Sequence, residues 1–264
     1  MSIRLLQMRN QDGRRFVAFT RNRGPAWRLD GFDTVLGLVL RTIEDRVGLT
    51  SAVAEHDSGE PVDLEAMFAQ GRILAPIDHP DPAHLLVSWA APDEQAAEID
   101  DDEAEPAPWS APPGWFFIAS GFGVRGPGAA LPRHPAEVPS LTAELAVVYV
   151  NGADGNPYRV GFALAGRGAS GGTSPGQVAL GGELLTGALP DESTPFTQAD
   201  HHFRHEQFRR PGDVHVRLFG GLRAARALPA PEGAVVEVAA TPFRYPLRCR
   251  LDAVPSAQVT IEVL

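Results

Sequence analysis

Residues 144–164, ELAVVYVNGADGNPYRVGFAL, decide the fold. Two apolar runs rich in Val, Tyr and Phe, at 143–151 and 158–165, have the composition of buried strands. Between them, NGADGN at 151–156 offers turn residues only. The stretch predicts two adjacent strands joined by a turn. Its neighbours repeat the pattern. Residues 177–185, 233–240, 245–251 and 258–263 read as further strands, 115–119 as one before it and 84–90 as another. Gly 27 and Pro 24 in 264 residues favour many turns and short strands over a helical bundle. A hydrophobic fraction of 44% can fill a substantial core.

The N-terminal stretch reads differently. Residues 3–8 and 15–20 alternate as strands around an Asn10–Gly13 hairpin signal. Residues 32–47 place Val35, Leu36, Leu38, Val39, Ile43 and Val47 near helical spacing, with Asp33 or Thr34 as N-cap and Gly48 as stop. Residues 63–70 read as a second helix ended by Gly71. This predicts a small α+β domain over 1–75 and a Pro-rich, acidic linker over 76–114. A mostly β core over 115–264 follows. Residues 93–105 carry eight carboxylates and no basic side chain, which predicts a solvated loop. The alternative is that Asp100, Asp101, Asp102 and Glu103 reach the core as a cation site, although a defined site needs ligands from different elements.

Composition excludes several functions. The net charge of -10 argues against nucleic acid, whose phosphates need a basic face. The chain has no lysine, which rules out a lysine Schiff base or lysine general base. Its single cysteine, Cys249, allows no intrachain disulfide, and its alternating segment predicts a buried structural thiol. No apolar run is long enough for a membrane span or a signal peptide, so the expectation is a cytoplasmic protein.

Site-forming residues concentrate in 196–221, FTQADHHFRHEQFRRPGDVHVRLFGG. Four of eight histidines lie here, with a run of arginines, and the Pro211-Gly212-Asp213 turn delivers them onto an alternating strand at 214–219. His215, Arg217 and Phe219 fall on one face of that strand. This face suits either a small planar acid or a dimer interface. His201 and His205, four apart, would share one face of a helix and suit zinc, but no HExxH accompanies them. His202 and His205 are acid/base candidates. Arg204, Arg209 and Arg217 are clamps for a carboxylate. The plainer reading pairs them with Asp200, Glu206 and Asp213.

Residues 71–84 (GRILAPIDHPDPAH), 115–132 (WFFIASGFGVRGPGAALP), 144–164 and 201–219, in that order, resemble the fumarylacetoacetate hydrolase superfamily. The resemblance is nearest to the branch acting on 2-oxo-3-deoxy sugar acids, the arabonate-dehydratase type. It implies an α+β, mostly β fold: a mixed β-roll core with a small N-terminal α+β domain, usually a homodimer. It also implies Mg²⁺ held by carboxylates against a 2-oxo acid. This sequence departs from that set. The first position of the family's Glu-x-Glu is Thr142 and only the second is acidic, Glu144. The following aspartate falls at about Ser170, a family lysine at Ile118, and the segment carrying a histidine and another ligand is missing. Three of four cation ligands are lost, so the expectation is no metal cofactor.

Glu144 is the surviving acidic position, a general acid or base if its pKa rises in an apolar strand. The plainer reading pairs it with Arg159 or Arg167. The resulting expectation is a metal-independent enzyme acting on a small oxo acid or related carbonyl compound by proton transfer, lyase-, dehydratase- or isomerase-like, in specialised biosynthesis. Glu144 with His202 or His205 would move protons, and Arg159, Arg204, Arg217, His215 and Phe219 would bind substrate. The rival is a catalytically inactive paralogue serving as a binding or structural subunit. The two differ in whether Glu144 and a histidine converge.

Overall fold

The computed structural model describes residues 2–90, 115–133, 140–168, 177–187, 202–219, 228–229 and 235–253. The expected strand 258–263, the acidic stretch 93–105, Ser170 and His201 lie outside them.

The hairpin read from the sequence forms. β1 (Ile3–Arg9) pairs antiparallel with β2 (Arg15–Arg21) around a turn in which Gly13 takes φ 78°. β3 (Ala26–Leu29) adds to β2. α1 (Val35–Glu44) is capped by Thr34, whose hydroxyl accepts the Gly37 N–H at 3.0 Å. The buried Gln7 amide oxygen takes the Val35 N–H at 2.8 Å, tying the helix start to β1. The helix stops before the expected Gly48. Arg46 adopts φ 55°, and Val47 N–H returns to the Thr42 carbonyl at 3.2 Å, a Schellman-type end. Gly48 instead precedes α2 (Leu49–Glu55), an element the sequence did not announce. β4 (Asp57–Val62) was also unforeseen; DSGEPV has few of the residues that favour strands, and β3 supplies its ladder. The expected second helix forms as α3 (Leu64–Ala69), capped by Asp63, which accepts the Ala66 N–H at 3.0 Å.

The remaining strands are β5 (Leu85–Ala90), β6 (Trp115–Ser120), β7 (Val124–Arg125), β8 (Ala130–Arg133), β9 (Ser140–Asn151), β10 (Pro157–Gly168), β11 (Val178–Leu180), β12 (Leu184–Leu185), β13 (Val214–Phe219), β14 (Leu228–Pro229), β15 (Val235–Val238) and β16 (Leu247–Ala253). One large sheet runs β4-β3-β2-β1-β12-β10-β9-β13-β5-β6; β11 and β14 pair alongside, and β7 pairs with β11. β15-β16-β8 form a second sheet. The fold is α+β and mostly β, as the resemblance implied. The large sheet crosses from the N-terminal unit into the core where β1 pairs with β12. A buried ion pair strengthens that junction: Arg4 lies 3.4 Å from Glu183, whose other oxygen accepts the Arg244 and Tyr245 N–H groups at 2.7 and 3.1 Å.

Strand alternation sorts the core into layers. Val148, Val150, Val214, Val216 and Leu218 face a core roofed by Val35, Leu38 and Val39 of α1. Leu145, Val147, Tyr149, Phe162, Phe203 and Phe219 face a second core with Leu247 and Cys249. Cys249 is buried and its thiol is pushed up to about 11 by burial, in line with the structural role read from its segment. The expected strand 177–185 splits at Gly181-Gly182, where the chain passes close to Ile73 and Phe68. Gly161 meets an equally tight approach: a Cβ there would overlap the Leu185 carbonyl oxygen and sit 3.0 Å from its carbon. Gly161→Ala should therefore cost about 1–3 kcal/mol in urea unfolding, by forcing β12 away from β10. A loss below about 0.5 kcal/mol would show that β12 yields freely.

Candidate functional site

Glu144 sits in β9 opposite Ala165 of β10, with Thr142 opposite Arg167. Thr142, Glu144, Ala146 and Val148 share one face of the strand. Glu144 is 0% exposed. Its Oε1 accepts a hydrogen bond from Arg167 Nε at 2.7 Å. Its Oε2 is also buried and has no hydrogen-bond partner among the described residues. The Arg167 side chain is 25% exposed, and its guanidinium lies 4.8 Å from the Trp89 ring centre. Burial raises the Glu144 pKa above the usual carboxylate range, opposed by the charge and hydrogen bond of Arg167. The cluster thus offers one carboxylate oxygen fixed by a guanidinium and a second without a described partner.

The predicted histidines stand elsewhere. In the β13–β9 ladder His215 lies opposite Tyr149, Arg217 opposite Val147 and Phe219 opposite Leu145. These positions occupy the other face of the sheet from Glu144. His215, Arg217 and Phe219 do share a face, as alternation required, and all three are buried. Arg159, opposite Tyr149, belongs to the same face, its guanidinium 5.4 Å from the Phe162 ring centre. His202 Nε2 is 3.3 Å from His215 Nδ1, and His215 Nε2 is 3.3 Å from Asn151 Nδ2. Asn151 also donates to the Phe208 and Arg210 carbonyls at 2.9 and 3.0 Å. His202 stacks on Phe208 at 4.0 Å. Burial, reinforced by His215, Arg217 and His205, lowers the His202 pKa to about 3, and burial lowers that of His215 to about 4. Both are neutral core histidines.

The convergence of Glu144 with His202 or His205 is therefore corrected, because the sheet separates them. His205 and Arg204 are exposed. Residues 203–205 form a turn and a bend, so His205 is not on a helix; His201 lies outside the described residues. Of the expected ion pairs, Arg209 reaches Glu206 at 3.9 Å, whereas Asp213 is taken by His84 at 2.6 Å. Arg167, weighed in the sequence only as a structural partner, and Trp89, not singled out at all, are the residues that accompany Glu144. Within single strands nothing marks them; the ladder brings them together.

The fold is similar to those of several solved dehydratase and hydrolase structures. Among solved structures, 2-keto-3-deoxyarabinonate dehydratase is 16% identical, covering 96% of this chain and 100% of its own, with a TM-score of 0.64. The structure of 2-keto-3-deoxy-D-arabinonate dehydratase complexed with magnesium and 2,5-dioxopentanoate is 14% identical, with the same coverage and TM-score. Fumarylacetoacetate hydrolase from psychrophilic Exiguobacterium antarcticum is 15% identical, covering 96% and 100%, with a TM-score of 0.58. No protein-family sequence model and no curated protein sequence matches the chain. No helix among the described residues is long and apolar enough to cross a membrane.

The described residues on the Glu144 face do not by themselves make up a magnesium site. Mg²⁺ requires near-octahedral oxygen coordination, commonly from one or two carboxylates with water and substrate oxygens. Among the described residues, this face offers one carboxylate and the Thr142 hydroxyl. The carboxylate's Oε1 is already held by a cation, Arg167, which would repel the metal.

Proposed function

We infer that the protein is a divergent enzyme of this fold, acting on a small oxo acid or related carbonyl compound by metal-independent proton transfer. Glu144 carries the proton. The observation behind this reading is its buried Oε2, which lacks a described partner while Arg167 holds Oε1. A carboxylate so placed has its pKa moved toward neutrality, where a general base works best. Glu144 would take a proton from the carbon beside the oxo group, leaving an enolate. The enolate then either loses the hydroxyl of the next carbon as water, Glu144 returning its proton to that leaving group, or regains the proton from Glu144 at a new position. The Arg167 guanidinium keeps the carboxylate ionised enough to accept the proton. The substrate class rests on the relative bound to 2,5-dioxopentanoate, and the same reading takes the protein to be a cytoplasmic homodimer in specialised biosynthesis.

A second reading, a catalytically inactive paralogue serving as a binding or structural subunit, has one observation in its favour: Glu144 is tied to Arg167 and separated from the histidines. Solvent exchange separates the two. A panel of 2-oxo acids in D₂O with EDTA, followed by ¹H NMR, should show enzyme-dependent loss of the proton beside the oxo group. Glu144→Gln should slow it by about a hundredfold or more, the usual scale for losing a positioned acid or base. No exchange by the wild-type protein, or equal exchange by the variant, would favour the inactive subunit.

A further inference from the structure

A cleft of about 580 Å³ opens between the end of α1 and the start of β10, within the size range of small-molecule sites. It lies on the same sheet face as Glu144 but at the other end of the strands. Tyr158 pairs with Val150, six residues along β9 from Glu144, or about 20 Å at the rise of an extended strand. Neither Glu144 nor Arg167 lines it.

Its walls are apolar: Val39 and Ile43 of α1, then Val47, Leu49 and Val160. Val47 is 42% exposed and Tyr158 39%. Of the large apolar side chains exposed among the described residues, Val47, Phe122, Tyr158 and Val235, two line this one cleft. A β-bulge between Arg159 and Gly161 breaks the β10 alternation at its edge; such bulges re-aim side chains beside sites.

Its lining carries two arginines, Arg46 and Arg159, against one carboxylate, Asp154. The Asp154 carboxylate is held by the turn, accepting the Asn156 N–H at 3.0 Å, the Asn156 side-chain amide at 2.8 Å and the Tyr158 hydroxyl at 3.2 Å. Arg159 lines the cleft with its guanidinium 5.4 Å from the Phe162 ring centre. Arg46 is the second arginine of the lining. It is exposed, forms none of the described ion pairs, and lies close enough to Tyr158 to oppose the rise in that hydroxyl's pKa. It holds the left-handed helix-ending position, φ 55°, where glycine is the unstrained choice. An exposed arginine lining an apolar cleft can hold a carboxylate by bidentate hydrogen bonds.

We propose that this cleft binds an apolar-bodied monocarboxylate, its ring or branched chain against Tyr158, Ile43 and Val47 and its carboxylate on Arg46. Calorimetric titration of the full chain with phenylacetate tests it. Phenylacetate should bind, while its neutral amide, phenylacetamide, and bodiless acetate should each bind about tenfold more weakly or worse. Arg46→Gln should weaken phenylacetate by a similar factor. Arg46→Gly should do the same while raising the melting temperature of the free protein, since glycine relieves the backbone. That rise keeps a binding loss distinct from misfolding. Glu144→Gln should leave the affinity unchanged. No binding, equal binding by Arg46→Gln, or loss of binding in Glu144→Gln would each overturn the proposal. So would a dimer that Val47→Asp dissociates without phenylacetate binding to the wild type, because the cleft would then be an interface between copies.

Discussion

Between pH 7 and pH 5 the protein should lose roughly 4 kcal/mol of stability through two buried histidines, a drop in melting temperature on the order of 10 °C for a chain of this size. His202 and His215 have folded pKa values of about 3 and about 4, against an ordinary histidine value of 6.5. Each is neutral when folded and takes a proton when unfolded. Their contribution is complete above about pH 6.5 and is lost as pH falls below it, levelling only beneath the folded values. At pH 5 each is about 1.5 units below its unfolded pKa, or about 2 kcal/mol. Glu144 and Glu183 act in the opposite sense: their folded pKa values are raised by burial, so they gain protons and stability as pH falls. They soften the loss at its acid end. Imidazole ¹H NMR tests the assignment directly. Two histidine resonances should hold neutral shifts down to the unfolding transition; ordinary titration of all eight near 6.5 would refute it.

Arg167→Met should cost about 3–5 kcal/mol at pH 7, because it strands the Glu144 carboxylate in the core without a charge partner. The partial exposure of Arg167 points to the lower end of that range. The loss has a pH signature. Without Arg167, burial raises the Glu144 pKa further, and the folded variant holds a proton that the unfolded chain releases. The deficit relative to wild type should shrink as pH falls from 7 toward about 5. Urea unfolding at both pH values measures it, and the histidine loss, common to both proteins, cancels in the difference. A deficit below about 1 kcal/mol, the same at both pH values, would mean that the pair contributes little and that Glu144 is neutral in the wild-type protein too. Glu144 would then be ill suited to abstract a proton.

Much of the architecture was legible along the chain. The β9–β10 hairpin followed from 144–164, the β1–β2 hairpin from alternation around Asn10–Gly13, and α1 from its apolar spacing, with the cap left between Asp33 and Thr34. Departures arose where local signals were ambiguous. Gly48 is both a helix stopper and a tolerable helix starter, and the choice fell to Arg46, a residue seldom found in the left-handed region. DSGEPV carries few strand-favouring residues; β4 exists because β3 supplies its hydrogen-bonding edge.

The candidate site was half legible for the same reason. The chain determined by itself that Glu144 is a lone carboxylate in an apolar strand, that His215, Arg217 and Phe219 share a face, and that the charge set lacks lysine. Side-chain direction along one strand has a period of two, so these statements need no partner strand. Tertiary structure alone decided which of those faces coincide. The ladder sets Tyr149 against His215 and Ala165 against Glu144, and a register slip of one residue on either side would have reversed every pairing of faces. Register depends on the packing of both cores at once. That is why the histidines were drawn toward Glu144 in the sequence and are separated from it by the sheet, while Arg167, 23 residues away, meets it at 2.7 Å.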